Sequence, residues 1–264
     1  MEREHLPGGS GGVWLVQETS GVTRVHRPTG PWTPAVHALL AHLDAQGLDG
    51  IPRVHGVDAD GWEILDYLPG RTIDPERAGV GDAALAEAAS WLRRFHDAVR
   101  GFAPGALEWR QGVQRLEAGQ VICHNDPGLY NWVVVDDDFA GMIDWDRAGP
   151  GYPLDDLAFM CWSSVPLLRE IPPADAARRL AIAAQSYGDV TPAELLSAVE
   201  ARMSLIAARW RDGIERGDPG TLALRDAGIM DRHHRRVEGF SRRRAAIMAA
   251  LSTAAVPPDS EEAL

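Results

Sequence analysis

The chain has 264 residues, 45% of them hydrophobic, and a formal net charge of −12 at pH 7. This hydrophobic content is sufficient for a sizeable core in one large domain or in two lobes, whereas the negative charge argues against nucleic acid as a partner and favours cationic small molecules. The sequence contains no run of 18 or more apolar residues, and no apolar segment follows its charged start, so neither a membrane span nor a secretory signal is expected.

Two residue types limit the chemistry further. Cys123 and Cys161 are the only cysteines, too few for a disulfide framework, and we expect the protein in the reducing cytoplasm. The chain has no lysine, so arginine supplies all 26 of its basic side chains other than histidine.

The N-terminal segment contains the glycine-rich stretch Leu6 to Gly12, followed by the apolar run Val13 to Gln17. A glycine-rich turn between two strands allows backbone N–H groups to approach phosphate closely, which makes Gly9, Ser10 and Gly11 candidates for a phosphate-binding turn. The alternative is a flexible N-terminus, because such segments are also rich in glycine and serine.

The sequence pattern of residues 22–28 predicts that they form the next strand. The side chains of a strand alternate between its two faces, so Val25 and Arg27 share one face while Arg24 and His26 share the other. A helix is predicted from about Ala35 to Gln46 by its amphipathic spacing.

A further strand is predicted within Gly61 to Gly70, where it runs into a Pro-Gly break. The apolar stripe over residues 83–99 predicts a helix whose His96 packs in the core or forms a structural hydrogen bond.

Residues 121–146 read as strand, polar loop, strand, turn and strand, and the third strand is expected over Gly141 to Ile143. Asp126, Asn131 and Asp144 each lie at the mouth of one of these short strands. A carboxylate beside an amide and a second carboxylate is the set that phosphoryl transfer from Mg-ATP requires, because magnesium prefers oxygen ligands. A surface hairpin rich in aspartate is the alternative.

The rest of the chain is predicted to be mainly helical. Residues 157–168 form an apolar segment, the expected helical segments cover residues 174–187, 192–215 and 221–251, and the last residues, 253–264, are expected to form a disordered tail.

Three sequence elements together carry a resemblance to a known family. His124-Asn125-Asp126 with Asn131, then Ile143 to Asp146, then Pro153 to Ala158, resemble in order and spacing the catalytic core of the aminoglycoside phosphotransferase family. The resemblance implies a two-lobed, protein-kinase-like α+β fold. Its small β-rich N-terminal lobe would span residues 1–68 and its larger, mainly helical lobe residues 69–252.

The resemblance also implies roles for single residues. Asp126 would accept the proton of the attacking hydroxyl, and Asn131 and Asp144 would hold Mg²⁺. The backbone around residues 66–68, namely Asp66, Tyr67 and Leu68, would bind the adenine of ATP.

In the kinase fold, a basic residue of the strand at 22–28 grips the α- and β-phosphates, and we favour Arg27 over Arg24, with a solvated edge as the third possibility. The helix glutamate that usually pairs with this cation has no evident counterpart, since the helix at 35–46 offers only His37, His42 and Asp44.

Three functions remain open at this point. The first is an ATP-dependent O-phosphotransferase for a small-molecule acceptor that could be cationic, such as an aminoglycoside or a related antibiotic. The second is a kinase of a metabolic amino alcohol or sugar. The third is a nucleotide-binding protein with little catalysis, which the missing lysine and helix glutamate suggest.

Overall fold

The computed structural model describes residues 2–6, 12–103, 105–110, 112–113 and 115–254. The proposed phosphate-binding residues Gly9, Ser10 and Gly11 lie outside the described residues, as do residues 255–264 of the expected tail.

The N-terminal part of the chain forms an antiparallel five-stranded sheet of order β1-β2-β3-β5-β4. Its strands are β1 (Glu2–Leu6), β2 (Val13–Gln17), β3 (Thr23–Pro28), β4 (Val54–Val57) and β5 (Trp62–Asp66). Helix α1 (Thr33–Ala45) is inserted between β3 and β4.

The apolar face of α1 explains why it forms and where it packs. Pro34 lies in its first turn, where a missing N–H costs no helical hydrogen bond, and Val36, Leu39, Leu40 and Leu43 are fully buried.

Short strands in the middle of the chain form two-stranded ladders. Their ranges are β6 (Glu108–Trp109), β7 (Gly112–Val113), β8 (Val121–Cys123), β9 (Trp132–Val135), β10 (Asp138–Met142) and β11 (Gly149–Gly151). Strand β8 pairs with β11 and β9 pairs with β10, both antiparallel. The β9–β10 turn places Asp136 and Asp137 at positive φ, as a tight hairpin turn requires.

The C-terminal part is helical, and its helices pack on one another around the main core. Their ranges are α2 (Asp82–Ala98), α3 (Pro153–Ser164), α4 (Pro173–Tyr187), α5 (Pro192–Glu215), α6 (Pro219–Asp226) and α7 (Ile229–Ala254). Helix α4 packs against α2 and α7, and α3 packs against α5. None of the helices in the described part of the chain combines the length and apolar character needed to cross a membrane.

Several predicted boundaries were wrong. The expected helix at 221–251 is two helices, because the chain breaks at Gly228, whose φ of 66° is left-handed. The apolar segment at 157–168, for which no helix was predicted, lies largely within α3, which begins at Pro153 and ends at Ser164. The strand expected at Gly141 to Ile143 begins at Asp138 and ends at Met142. Residues 253 and 254 of the expected tail belong to α7.

Candidate active site

The loop that carries Asp126 follows β8 and is anchored by a carboxylate from α3. Asp156 is fully buried, and its two oxygens accept hydrogen bonds from the backbone N–H groups of His124 (2.7 Å) and Asn125 (2.8 Å). Asn125 adopts a left-handed backbone with φ of 64°, a conformation that asparagine tolerates better than most residues. These two hydrogen bonds therefore fix the conformation of the turn and the position of the next residue, Asp126.

Asp156 belongs to a buried network with His96, which joins α2 to this loop. His96 Nε2 lies 3.2 Å from Asp156 Oδ2, and His96 Nδ1 lies 2.8 Å from the Tyr187 hydroxyl. Burial alone raises the pKa of Asp156, but the hydrogen bond and charge of His96, together with the charge of Arg202, bring it below its usual value. The geometry agrees with the structural role expected for His96.

His124 links the Asp126 loop to the strand that leads to Asp144. Its Nδ1 accepts a hydrogen bond from the backbone N–H of Asp126 (3.3 Å), so the proton is assigned to Nε2, which donates to the carbonyl of Ile143 (3.2 Å). Burial lowers the pKa of His124, which keeps the ring neutral, as this pair of contacts requires. His124 therefore acts as a structural brace, since its ring links the backbone of Asp126 to that of Ile143.

Asp126 lies in a partly buried position, with 16% of its side chain exposed. Burial raises the pKa of its carboxyl to about 6, although Arg147 Nε at 3.6 Å and the hydroxyl of Tyr130, which donates to Oδ1, oppose this effect. A carboxylate with a pKa near neutrality is a better proton acceptor than an ordinary aspartate, which suits a general base.

Asn131 and Asp144 lie beside this loop because their backbones are paired. The carbonyl of Asn131 accepts from the N–H of Ile143 (2.9 Å), the residue before Asp144. The amide Nδ2 of Asn131 donates to the Asp126 carbonyl (2.9 Å), which leaves Oδ1 available as a ligand. The Asp144 side chain is half exposed, and the backbone of Asp144 adopts the left-handed conformation. An amide oxygen and an accessible carboxylate are hard donors that fit Mg²⁺.

Arg27 lies on strand β3, and its guanidinium contacts Asp144. Arg27 Nη1 lies 3.2 Å from Asp144 Oδ1, and Nη2 lies 2.6 Å from Asp146 Oδ1. Burial alone lowers the pKa of Arg27, but the carboxylates of Asp146, Glu63 and Asp144 together raise it above its usual value. Arg24 instead pairs with Asp66, away from this cluster.

The carboxylate partner of Arg27 comes from a strand rather than from a helix, and sequence reasoning missed it. Glu63 on β5 is directly opposite Arg27 in the sheet, is 1% exposed, and accepts from Arg27 Nε (2.5 Å). His37 of α1 lies 2.8 Å from its other oxygen. The signal was present in the sequence, because Glu63 and Leu65 share a face of β5, and an acid on a buried strand face needs a partner.

The residues expected to meet adenine lie at the end of β5. Asp66 is its last residue, and its carboxylate is held by Arg24 and by His55 Nε2 (2.7 Å). Tyr67 and Leu68 follow outside the strand and are partly exposed. Nothing in the side chains of these three residues is specific for adenine.

A cavity of about 1080 Å³ opens beside Asp126, bounded mainly by α5, α7 and the chain around residues 72–76. Its aromatic walls are Tyr130, Phe159, Trp162 and Trp210. The basic side chains that line it, apart from His233, are arginines: Arg110, Arg115, Arg147, Arg202, Arg209, Arg216, Arg232 and Arg236. Its position next to the candidate base makes it the candidate acceptor site.

Comparison with known proteins agrees with this architecture. Residues 102–196 match the model of the family described as "Phosphotransferase enzyme family". A relative from Rhizobium leguminosarum bv. trifolii, named trifolitoxin immunity protein, is 37% identical over 162 residues, which cover 60% of each chain. The chain thus spans about 60% of the length of the curated relative that it matches.

Two solved structures share the fold at low sequence identity. The amicoumacin kinase hAmiN, solved with AMP-PNP, Ca²⁺ and Ami, has a TM-score of 0.63 and 11% identity over 90% of this chain and 88% of its own. A choline kinase from Cryptosporidium parvum Iowa II has a TM-score of 0.62 and 10% identity over 94% and 90%.

The fold is therefore that of the protein-kinase-like phosphotransferases, with a β-rich N-terminal part and a helical C-terminal part, as predicted. The resemblance to the aminoglycoside phosphotransferase family is confirmed, and residues 102–196, which carry the candidate base and metal ligands, are the part that matches the phosphotransferase family model.

Proposed function

We propose that this protein is an ATP-dependent O-phosphotransferase that modifies a hydroxyl group of a small molecule. The observation that carries the proposal is the hydrogen-bonded frame of His124, Asn131 and Ile143, which supports Asp126 and Asp144 side by side with Arg27. A surface hairpin with solvated aspartates would need neither a neutral, buried histidine brace nor a buried carboxylate anchor.

In the proposed reaction, the acceptor hydroxyl gives its proton to Asp126 as its oxygen attacks the γ-phosphorus of ATP, and ADP leaves. Asn131 and Asp144 would hold Mg²⁺, which when bound neutralises phosphate charge. Arg27, kept in place by Glu63, would contact the α- and β-phosphates, and Asp66 to Leu68 would border the adenine. Most of the rate would come from alignment and charge neutralisation.

The proposed acceptor belongs to the antibiotic or toxin class. The support is the immunity protein among the relatives and the amicoumacin kinase among the structures of similar fold. The choline kinase of similar fold supports the alternative, a metabolic amino alcohol. The third possibility, nucleotide binding with little catalysis, loses support because Glu63 supplies the carboxylate that α1 lacks. We further propose a cytoplasmic location, where ATP is available and the free, buried Cys123 and Cys161 stay reduced.

The proposal is tested by measuring ADP release with Mg-ATP in the presence and absence of a panel of antibiotics, amino alcohols and sugars. Acceptor-dependent ADP release together with a phosphorylated product detected by mass spectrometry is the expected result. ATP binding without acceptor-dependent turnover would support the alternative of a nucleotide-binding protein with little catalysis. Absence of ATP binding would overturn the proposal as a whole.

Replacing Asp144 with alanine is expected to abolish the magnesium dependence of ATP binding. The amide of Asn131 carries no charge, so it cannot hold a divalent cation by itself. Calorimetric titration of ATP with and without Mg²⁺ measures this. The matched control is Asp138→Ala, which removes an exposed carboxylate from the neighbouring hairpin. If the Asp144 variant keeps the magnesium dependence of the wild type, the metal is held elsewhere.

Replacing Arg27 with alanine is expected to weaken ATP binding by about 1.5–3 kcal/mol, the range of a hydrogen bond to a charged group. The control is Arg24→Ala on the opposite face of β3, which should cost far less because Arg24 contacts Asp66. Nucleotide affinity is compared after confirming that both variants unfold cooperatively, since the Arg27 variant leaves Glu63 with His37 as its one side-chain partner in the described part of the chain. A larger loss of affinity in the Arg24 variant would place the phosphate contact on the opposite face of β3 and contradict the assignment to Arg27.

A further inference from the structure

We propose that the acceptor is an anion: a molecule with a hydroxyl group for Asp126, an apolar body and a carboxylate bound by the arginines at the α5 wall of the cavity. This inference rests on the proposed function and names the substrate class of the same site. It reverses the sign expected from the overall charge of −12.

The first observation is the spacing of arginines along α5. Arg202 and Arg209 lie on this helix and Arg216 directly follows it, each seven residues after the last, and all three line the cavity. Seven residues are almost two helical turns, so successive side chains emerge on nearly the same face, about 10 Å apart. One wall of the cavity therefore carries guanidinium groups along its length.

The second observation is that these guanidinium groups lack carboxylate partners. Within the described ranges, no carboxylate oxygen lies within 4.0 Å of a nitrogen of Arg202, Arg209 or Arg216. Among the described residues, the Arg209 guanidinium forms hydrogen bonds only with the amide oxygen of Asn125, at 3.3 and 3.4 Å. Burial, followed by the charge of Arg202, lowers the pKa of Arg209 to about 10, so its positive form is held in an unfavourable environment that a bound anion would relieve.

Arg202 is the most deeply placed of the three. It is 1% exposed and donates from Nη2 to the carbonyl of Asn125 (2.6 Å), one residue before the candidate base. Its Nε and Nη1 have no hydrogen-bond partner in the described part of the chain. A buried cation with two unsatisfied donors is costly, and this one contributes positive potential beside Asp126.

The acids of the cavity do not offset this charge. Six acids line it against eight arginines, and four of the six are already engaged, one of them being Asp74, which pairs with Arg77. Asp126 faces Arg147, Glu76 pairs with Arg236 at 2.7 Å, and Asp218 caps α6 through Thr221. A polycation would have to enter next to unpaired guanidinium groups, whereas a carboxylate could accept two parallel hydrogen bonds from one of them.

The aromatic walls specify the remaining part of the ligand. Phe159, Trp162 and Trp210 line the same cavity, and Trp210 and Trp162 pack edge-on around His233. Such a surface favours a ring or an aliphatic body between the hydroxyl and the carboxylate, because apolar area is removed from water on binding.

The test compares matched pairs of hydroxyl-bearing probes that differ only in charge. Each pair is an acid and its primary amide, for example N-acetyl-phenylalanyl-serine and its carboxamide, extended to a library of such pairs, with kanamycin as the polycation. Binding is measured by calorimetry on the full chain with the ATP analogue AMP-PNP and Mg²⁺ present. The expected result is that the best acids bind about tenfold or more tightly than their amides, as charged, paired hydrogen bonds allow.

Two variants assign the effect to α5. Arg216→Gln changes an exposed residue with no side-chain hydrogen bond among the described residues, and Arg209→Gln changes the half-buried one. Each should reduce the preference for acid over amide to about threefold or less, with AMP-PNP affinity unchanged. Arg211→Gln, an exposed α5 residue that does not line the cavity, should keep the full preference.

The possible failures are distinguishable. If no acid binds, or if amides or kanamycin bind as well as the acids, the inference is overturned while phosphorylation of another acceptor still supports the proposed function. If both arginine variants weaken AMP-PNP binding as much as acid binding, the arginines serve the nucleotide and the inference falls. If acids bind with the expected preference but none is phosphorylated under Mg-ATP, the bound anion is not the acceptor and the inference falls, whereas the proposed function is decided by turnover with the wider acceptor panel.

Discussion

Replacing Asp126 with asparagine is expected to lower kcat by about 10²–10⁴-fold, the usual contribution of a positioned general base. Asparagine has nearly the same shape but no basic oxygen, so it cannot take the proton of the acceptor hydroxyl. The backbone N–H of Asp126 would still reach His124, and the loop would still be anchored by Asp156. ATP binding and the free energy of unfolding should therefore change little.

The measurement is single-turnover phosphorylation of a verified acceptor, alongside calorimetry of ATP. Asp137→Asn makes the same chemical change in the exposed β9–β10 turn, where asparagine also accepts the left-handed backbone, and should leave turnover unaltered. Turnover like that of the wild type in the Asp126 variant would show that another group takes the proton.

Replacing Asp156 with alanine is expected to lower the free energy of unfolding by about 3–5 kcal/mol, the range for breaking a buried charged pair. The variant leaves the N–H groups of His124 and Asn125 and the ring of His96 without their common acceptor. Urea unfolding measures the loss. Asp155→Ala, at the neighbouring residue, whose carboxylate accepts no hydrogen bond from the described residues, should cost much less.

The effect of Asp156 should also depend on pH. The pKa of Asp156 lies below its usual value in the folded protein, so its stabilising contribution is present above the unfolded value and disappears as the pH falls through the folded one. The difference between the wild type and the Asp156 variant should therefore be largest near neutral pH and shrink in strong acid. A difference that stays constant with pH would mean that the carboxylate contributes through packing instead of charge.

The sequence predicted those parts of the site that depend on local pattern. The alternation of β3 separated Arg27 from Arg24, and short apolar runs located Asp126, Asn131 and Asp144 at strand ends, because both patterns follow from strand geometry alone. The roles given to these residues remain predictions.

The parts that sequence missed depend on contacts between distant segments. Glu63 meets Arg27 only because β5 pairs with β3, and Asp156 reaches the loop that carries Asp126 only because α3 folds back on β8. The register of such pairings is set by tertiary packing, which spacing along the chain does not encode. The division of 221–251 into two helices was more accessible, since Gly228 is a common helix-ending residue.

The His124 brace has a consequence for how this protein could acquire new acceptors. The imidazole of His124 accepts a hydrogen bond from the backbone of Asp126 and donates one to the carbonyl of Ile143, the residue before Asp144. The effects of substitutions at these residues on stability and activity should therefore not be additive. The walls of the cavity come instead mainly from side chains of α5 and α7, and α5 contacts the Asp126 loop through hydrogen bonds from Arg202 and Arg209 to Asn125. Substitutions at the cavity-lining positions of these helices should therefore change which acceptor binds while leaving the contacts that hold Asp126 and Asp144 intact.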